Sequence, residues 1–468
     1  MRRLLRPACA QLLAFPGPRP ELAAAYPKVS GDRRTYTFRI RRGLRFSTGE
    51  LVTARSFKWA IERFLSPKVG VANPDYADLF VGGRDYFEGR SQNIKGVTAR
   101  RNVLELRLTQ PYADLLVDLA ARPFCAVPRG LPQDPEGAPA PLPSAGPYYV
   151  SKYVAGREVV LLKNRRYRGP RPQHVDSFRI DLANTPPAAV AQVTSGKADL
   201  AVPFSPQYDE LATKYGVNKS RFFLFADGTV AQILFLNTER SLFRNNPKLR
   251  RAVAFALDRR ALIRAVNPYF GSPSDQFLTT GVAGFRDARI YPDRGNLTQA
   301  AKLAKGRTRS GKAVFYVPEI PDNIAQAQSV RERLRRIGID VEIRSFPQVV
   351  MGTKLATPGE PFDIGLVRSE IGSPTADVLN CWFHSRNIPG CNISRFKSTR
   401  YNRLLDRAAR LVGPPSFHLY GTLDIELARA APAIAITHPH RAVIVSARAG
   451  CHTFKKPLFD LADVCLKR

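Results

Sequence analysis

Acidic residues are scarce in this 468-residue sequence, and the basic residues that outnumber them form no nucleic-acid motif. There are 39 Asp and Glu against 72 Lys and Arg, so the formal net charge is +33. The excess is mostly Arg, scattered between apolar residues, and a zinc finger, an RNP-type stretch and a dense basic tail are all missing. We therefore expect a solvated basic surface and no nucleic-acid partner, although such a charge attracts anionic membranes and wall polymers.

Long apolar runs are also missing, since none approaches the roughly 18 residues of a membrane-spanning helix. Hydrophobic residues make up 44% of the chain and aromatic residues 10%, which is typical of a globular protein, and the length favours two or three domains. The first residues, MRRLLRPACAQLLAF, are basic like a signal peptide, but Pro7 and Gln11 interrupt the apolar stretch and Cys9 lacks a lipoprotein signal before it. We expect the chain to begin inside the mature protein, without its export signal.

The motifs of catalysis are missing too, because no GxGxxG follows a strand and no P-loop, HExxH or GxSxG occurs. Of the six histidines only His438 and His440 form a tight cluster, and two ligands do not make a metal site, so a hydrogen-bonded loop is expected there. No Asp/Glu pair stands out as acid and base. Glu370 and Asp377, in SEIGSPTAD, fit either turn hydrogen bonds or a ligand contact. The sequence thus favours binding over catalysis, with no metal and no cofactor.

None of the six cysteines is part of a Cys-x-x-Cys motif. Two pairs bracket short loops, which suits the disulfides of an exported protein, and one pair is left over. This pairing would give Cys381–Cys391, Cys451–Cys465 and Cys9–Cys125. The spacing does not fix the connectivity, and buried free thiols are the alternative.

The stretch from Thr35 to Leu65 predicts a strand, a tight turn and a helix. Aromatic and β-branched residues alternate with polar ones in TYTFRI, as in a half-buried strand. Gly43 indicates a turn, and Thr53 is a candidate N-cap. After it, apolar residues recur on one helical face, at Phe57, Ile61 and Phe64.

Strand and helix patterns alternate along the rest of the chain. REVVLLKN and HVDSFRIDL predict two paired strands, AQILFLNT predicts a buried strand, and Asn246-Pro247 predicts the start of a helix. AVFYV, a helical stripe from Ile324 to Ile337, and IDVEI predict a βαβ unit with parallel strands. The predicted fold class is α/β.

The order of these segments is similar to that of a known family. TYTFRIRRGLRFSTGELVTARSFKWAIERFLSPK resembles the characteristic segment of the extracytoplasmic solute-binding proteins of family 5, which serve ABC importers for oligopeptides, dipeptides, nickel and related solutes. Further matching segments follow in order: SAGPYYVSKYVAGREVVLLKNRRYRG, DSFRIDL, SGKADLAV, ILFLNTERSLFRNNPKLRRAVAFALDRRALI, RERLRRIGIDVEIRSF and PFDIGLV. Such collinearity is far more specific than any single segment.

The resemblance implies a type II periplasmic-binding-protein fold, with two lobes and a ligand cleft, in the three-domain variant. Lobe one is expected to combine residues 1–24, 145–237 and 441–468. A smaller domain of residues 25–144 would be inserted in it, and lobe two would comprise residues 238–440. Closure by hinge motion would bury the ligand.

The resemblance also points to ligand-binding residues on the cleft wall. Three are expected beside one hinge, two on a loop of lobe two and one after that loop: Gln232, Phe235, Asn237, Arg368, Glu370 and Trp382. In oligopeptide binders an Asp of this loop pairs with the peptide ammonium. Glu370 falls near that place, but Ser373-Pro374 replaces the usual Asp-Pro. Core packing or turn structure is the alternative for each residue.

The implied function is that of a receptor in the periplasm or on the outer face of the cell membrane, and not that of an enzyme. As a monomer, it would capture a peptide or similar small solute and deliver it to ABC permease subunits. It would meet the membrane only through that partner or a lipid anchor. A sensor or scavenging binder of the same fold and a basic protein that binds wall polyanions are the alternatives. An adjacent permease gene would favour the first reading, and salt-sensitive retention on anionic polymer the last.

Overall fold

The computed structural model is a mixed α/β protein. It describes residues 9, 12–14, 19–68, 75–112, 115–120, 124–132, 141–226, 230–280, 282–370, 378–411, 413–451 and 460–467. The strands are β1 (Leu13–Ala14), β2 (Arg19–Pro20), β3 (Lys28–Val29), β4 (Thr35–Arg39), β5 (Val97–Arg100), β6 (Val103–Arg107), β7 (Tyr148–Val154), β8 (Glu158–Lys163), β9 (Ser177–Asp181), β10 (Leu200–Ala201), β11 (Phe222–Ala226), β12 (Val230–Leu236), β13 (Gly271–Pro273), β14 (Lys312–Pro318), β15 (Asp340–Phe346), β16 (Ile364–Glu370), β17 (Ala433–Val445), β18 (Ala449–Gly450) and β19 (Cys465–Leu466).

The α-helices are α1 (Ala54–Phe64), α2 (Asp75–Leu79), α3 (Gly83–Phe87), α4 (Leu115–Leu119), α5 (Pro186–Thr194), α6 (Tyr208–Tyr215), α7 (Pro247–Ala256), α8 (Arg259–Arg264), α9 (Leu297–Ala304), α10 (Pro321–Arg335), α11 (Gln348–Ala356), α12 (Val378–Phe383), α13 (Thr399–Arg410) and α14 (Pro414–Ala430). Short 3-10 helices lie at Ser205–Gln207, Ser385–Asn387 and Leu461–Asp463. No helix of the described ranges is both long and apolar enough to cross a membrane.

Residue contacts divide the chain into two compact units. The first unit comprises Met1–Ala201 and Val445–Arg468, and the second comprises Val202–Ile444. The three-domain division stays a prediction. β12, which that prediction places at the end of lobe one, pairs with strands of the second unit.

The predicted strand, turn and helix near the start of the first unit are confirmed. β4 lies inside an antiparallel sheet of the order β3-β4-β6-β5, and its Tyr36 and Phe38 are buried in the core that Phe57 of α1 also enters. Gly43 has a φ of 76°, in the left-handed region that favours glycine. Thr53 is the N-cap of α1. The alternation of period two and the helical stripe therefore bury their apolar faces against each other.

A second antiparallel sheet of the first unit, β7-β8-β9, packs against the C-terminal segment. Tyr148, Leu161 and Ala462 share one apolar cluster. The Tyr148 hydroxyl donates to the carbonyl of Val175 at 2.7 Å, and burial raises the pKa of Tyr148 to about 12. Ala462 of the C-terminal segment thus belongs to the same core as β7 and β8.

A buried ion pair network joins distant segments of the first unit. Nε of Arg171 lies 2.7 Å from Oε1 of Glu21, and Nη1 lies 3.4 Å from Oδ2 of Asp460. Nη2 of the same guanidinium donates to the carbonyl of Cys9. Burial by itself lowers the pKa of Arg171, but the two carboxylates outweigh it and raise that pKa above its ordinary value. One guanidinium therefore ties together the start, the middle and the end of the chain.

The second unit is built on a mixed sheet with the strand order β17-β12-β16-β14-β15, and β11 and β13 pair with β17. β14, α10 and β15 form the predicted βαβ unit, since β14 and β15 are parallel. β12 is antiparallel to both of its neighbours, β16 and β17. Alternate residues of β12 enter two separate cores, Leu234 and Leu236 on one side and Ile233 and Phe235 on the other. The continuous apolar run of this strand follows from burial on both faces.

Disulfides join the six cysteines in the predicted pairs, and no free thiol remains. The Cα–Cα distances are 5.5 Å for Cys9–Cys125, 5.4 Å for Cys381–Cys391 and 5.3 Å for Cys451–Cys465. The first and third disulfides lie in the first unit, and the second lies in the second unit. Such a set is typical of a protein of an oxidising compartment.

Candidate functional site

The candidate site of the second unit lies where β12 begins and β16 ends. In the antiparallel register of these strands, Gln232 is opposite Arg368 and Val230 is opposite Glu370. Directly opposed residues of antiparallel strands are neighbours, so the sheet brings three of the six predicted ligand-binding residues to one place. Phe235 lies further along β12, opposite Gly365.

The expectation that Arg368 and Glu370 lie on a loop is wrong. Both belong to β16, and Glu370 is its last residue. Seven consecutive residues of β12 pair with β16, and this pairing of distant segments places Ser369 and Glu370, the first two residues of SEIGSPTAD, in a strand. Asp377 and Ser373-Pro374 lie outside the described residues.

Gln232 is fully buried and bound to another amide. Its Nε2 donates to Oε1 of Gln326 at 2.6 Å, and Nε2 of Gln326 donates to the carbonyl of Leu262 at 3.0 Å. On the other side of β12 the register with β17 shifts between Gln232 and Ile233, which marks a β-bulge. Bulges redirect side chains and are frequent beside functional sites.

Phe235, Asn237 and Trp382 are occupied by packing and backbone contacts. The rings of Phe235 and Trp382 meet edge to face at 6.3 Å in the core, with exposed fractions of 1% and 4%. Nδ2 of Asn237 donates to the carbonyl of Phe362 at 3.0 Å, and its Oδ1 accepts from the backbone N–H of Glu239 at 3.1 Å. These contacts agree with the core and turn alternatives. A ligand role for these three residues stays a prediction.

Arg368 is exposed, and two aromatic residues lie close to its guanidinium. Its guanidinium lies 5.7 Å from the ring centre of Phe270, a cation–π distance. Phe270 and Tyr208 are both buried, with exposed fractions of 5% and 6%. Burial raises the pKa of Tyr208, and the charges of Arg368 and Arg441 partly offset this rise. A cation on an aromatic wall is an arrangement that suits a ligand carboxylate.

The strand pair β13–β17 next to Phe270 was missed by the sequence reasoning. Oγ of Ser272 lies 2.9 Å from Nε2 of His440, whose Nδ1 is 3.2 Å from the carbonyl of Tyr269. The expected loop around His438 and His440 is wrong, because both residues are part of β17. Pro439 stands opposite Gly271, at the end of that pairing. The short polar β13 carries no periodic signal, so only the close pair of histidines could have indicated this position.

The mixed α/β architecture with its twisted sheet is that of the type II periplasmic-binding-protein fold. The chain belongs to the bacterial extracellular solute-binding proteins, family 5, whose middle-region profile matches residues 17–389. Membership agrees with the three disulfides in placing the protein outside the cytoplasm.

Several proteins of low sequence identity to this chain are named for different ligands. The probable D,D-dipeptide-binding periplasmic protein DdpA of Escherichia coli (strain K12) is 22% identical over 397 residues, which cover 83% of this chain and 72% of DdpA. Heme-binding protein A of Haemophilus influenzae is 23% identical, and the aligned residues cover 90% of this chain and 78% of that protein. The structure of clavulanic acid biosynthesis oligopeptide binding protein 2 matches with a TM-score of 0.90 at 21% identity, over all of this chain and 91% of that one. This last likeness establishes the fold.

Proposed function

We propose that the protein captures short peptides outside the cytoplasm, releases them unchanged and delivers them to the permease subunits of an ABC importer. Membership of family 5 supports solute capture, and the dipeptide and oligopeptide names of similar proteins support a peptide. The observation that carries the ligand class is Arg368, an exposed guanidinium over Phe270 at the end of β16. The proposal includes action as a monomer, without catalysis.

In this proposal Arg368 binds the peptide carboxylate and Glu370 binds the ammonium. A guanidinium recognises a carboxylate through two parallel N–H···O bonds, and charge-assisted bonds of this kind are about twice as strong as neutral ones. Backbone hydrogen bonds would supply affinity without selecting side chains. Arg368 already has other interactions in the structure, so a ligand would compete with them.

The first experiment is to denature the purified protein and identify any released small molecule by mass spectrometry. A mixture of short peptides is the expected result. A single non-peptide solute would contradict the peptide assignment but not the solute-binding fold. If nothing is released, a thermal-shift panel of peptides and other solutes follows, and a panel without any peptide hit contradicts the proposal.

A peptide that binds then tests the role of Arg368 by calorimetry. Arg368→Gln is expected to lower the affinity for a peptide with a free carboxylate by roughly tenfold to a hundredfold, since hydrogen bonds to charged groups contribute about 1.5–3 kcal/mol. The same substitution should leave a C-terminally amidated peptide unaffected, because its carboxylate is already gone. Arg335→Gln, at an exposed position of α10, is the matched loss of charge and should change neither affinity. Equal losses for free and amidated peptides would contradict the role of Arg368.

A further inference from the structure

A pocket of about 340 Å³ opens in the second unit, and none of the six predicted ligand-binding residues lines it. Its lining includes the guanidinium-bearing residues Arg251, Arg289 and Arg429 and the aromatic residues Phe255 and Tyr291. The three arginines are exposed, whereas Tyr291 has an exposed fraction of only 5%. Basic groups therefore surround an aromatic floor.

The pocket is held by fixed contacts between three segments. Arg251 and Phe255 are four residues apart on α7, so they lie on the same helix face. The rings of Phe255 and Tyr291 meet edge to face at 4.9 Å. The hydroxyl of Tyr291 donates to the carbonyl of Ala428 at 3.0 Å, which fixes the floor next to Arg429 at the end of α14. The site is thus formed before any ligand arrives, which keeps the cost of binding low.

A fourth guanidinium adds positive charge behind the floor. Arg259 is fully buried and lies 5.5 Å from the ring centre of Tyr291. Its Nε donates to the carbonyls of Ser274 and Ala435, while its Nη2 has no hydrogen-bond partner within the described part of the chain. Burial raises the pKa of Tyr291, and the charges of Arg251 and Arg259 oppose that rise.

Carboxylates compensate part of this charge. Oδ2 of Asp275 accepts from the backbone N–H of Tyr291 at 2.8 Å, and Asp275 and Asp293 both oppose the lowering of the pKa of Arg259 by burial. Asp287 lies 3.0 Å from Nε of Arg289, and both side chains are largely exposed. Among the residues that the structure describes, none of the ion pairs involves Arg251 or Arg429. A helix C-terminus attracts cations and explains Arg429. It does not explain Arg251, which is in the middle of α7, or Arg289, which lies between helices.

We propose that this pocket binds a compact multivalent anion that carries phosphoryl groups. Guanidinium forks match phosphate oxygens in pairs, and three of them around one small cavity favour a ligand with two or more negative charges. A volume of about 340 Å³ is at the lower end of the range for small-molecule sites, which favours a small group inside the pocket. The phosphoryl group could belong to a free phosphate compound or to a phospholipid headgroup. This proposal does not depend on the proposed peptide function, and each can be tested without the other.

The test compares two triple variants of the full chain that lose the same charge. The first is Arg251→Gln, Arg289→Gln and Arg429→Gln. The second is Arg331→Gln, Arg335→Gln and Arg336→Gln, which removes three exposed arginines that do not line the pocket. Inorganic pyrophosphate is titrated into each by calorimetry at about 0.15 M salt, where long-range attraction to the basic surface is screened. Circular dichroism checks that each variant is folded.

We expect the pocket variant to lose pyrophosphate affinity by at least about tenfold, because each lost guanidinium removes charge-assisted bonds. The control variant should keep the affinity of the wild type. A second arm measures sedimentation with vesicles of phosphatidic acid in phosphatidylcholine, and loss in the pocket variant alone would assign a headgroup ligand. If the two variants behave alike in both arms, the attraction is that of the general basic surface and the proposal is wrong.

Discussion

Asp424 and His438, both deeply buried in the second unit, share the partner Gln276. Oδ2 of Asp424 accepts from Nε2 of Gln276 at 2.9 Å, and His438 hydrogen bonds with the backbone of the same residue. Burial raises the pKa of Asp424 to about 7 and lowers that of His438 to about 4. In the folded protein each group thus stays neutral over a pH range in which it is charged in the unfolded chain.

These shifts predict opposite pH dependences of stability. Asp424 keeps its proton in the folded state above the ordinary pKa of 3.8, so its contribution is complete below that pH and is lost as the pH rises to about 7. His438 stays neutral below its ordinary pKa of 6.5, so its contribution is complete above that pH and is lost as the pH falls to about 4.

Urea unfolding of the wild type, Asp424→Asn and His438→Gln at several pH values separates the two groups. The stability advantage of the wild type over Asp424→Asn should shrink as the pH rises from about 4 to about 7. Its advantage over His438→Gln should grow as the pH rises from about 4 to about 6.5. An advantage that does not vary with pH would show that the group titrates alike in the folded and unfolded chains.

The strand pair β13–β17 depends on one glycine. A Cβ added at Gly271 would lie 2.4 Å from Oγ1 of Thr437 and 2.7 Å from the carbonyl oxygen of His438. The Thr437 hydroxyl is held in place because it donates to the carbonyl of Ser272 at 2.8 Å, and the His438 carbonyl is part of the paired backbone of β17. The close approach of the two strands therefore requires glycine here.

Gly271→Ala is expected to destabilise the protein by about 1–3 kcal/mol, the usual cost of forcing extra atoms into a packed site. Gly352→Ala is the matched control, because a Cβ there meets no atom within 4 Å. Gly352 lies in α11, so the control should be neutral or stabilising by up to about 1 kcal/mol. Urea midpoints measure both, and equal midpoints would mean that the strands can separate at no cost.

Elements were predictable from the sequence where local periodicity decides the structure. The strand and helix from Thr35 to Leu65 and the βαβ unit of β14, α10 and β15 follow from patterns of period two and 3.6. The residues of the candidate site were harder to predict from the sequence. The prediction of a loop at Arg368 and Glu370 failed because their strand is defined by pairing with β12, which is distant in the chain. Nothing in the spacing of Phe235 and Trp382 tells a cleft wall from a core, since aromatic residues serve in both.

At the scale of the whole molecule, three disulfides close loops of very different length. The sequence separations are 116 residues for Cys9–Cys125, 10 for Cys381–Cys391 and 14 for Cys451–Cys465. A disulfide restricts the unfolded chain, and in the loop-entropy description this restriction grows with loop length.

Replacing both cysteines of a pair by alanine should therefore be most costly for Cys9 and Cys125. The expected loss is about 4–5 kcal/mol, against about 3 kcal/mol for Cys381 and Cys391. Unfolding in urea under non-reducing conditions compares the two double variants, and mass spectrometry of each confirms that the remaining disulfides are intact. A larger loss for the short loop would show that native packing around it, and not loop closure, sets the contribution.

The order in which the chain emerges during synthesis and export matters for a protein built this way. The second unit is one continuous stretch, Val202–Ile444, so all its residues are present before the last segment appears. The first unit must wait for residues beyond Val445, because Asp460 completes the charges around Arg171 and Ala462 completes a core. Domains generally fold as units, so a unit whose core lacks a segment cannot finish folding before that segment is present. The part of the protein that is made first is therefore the part that finishes last.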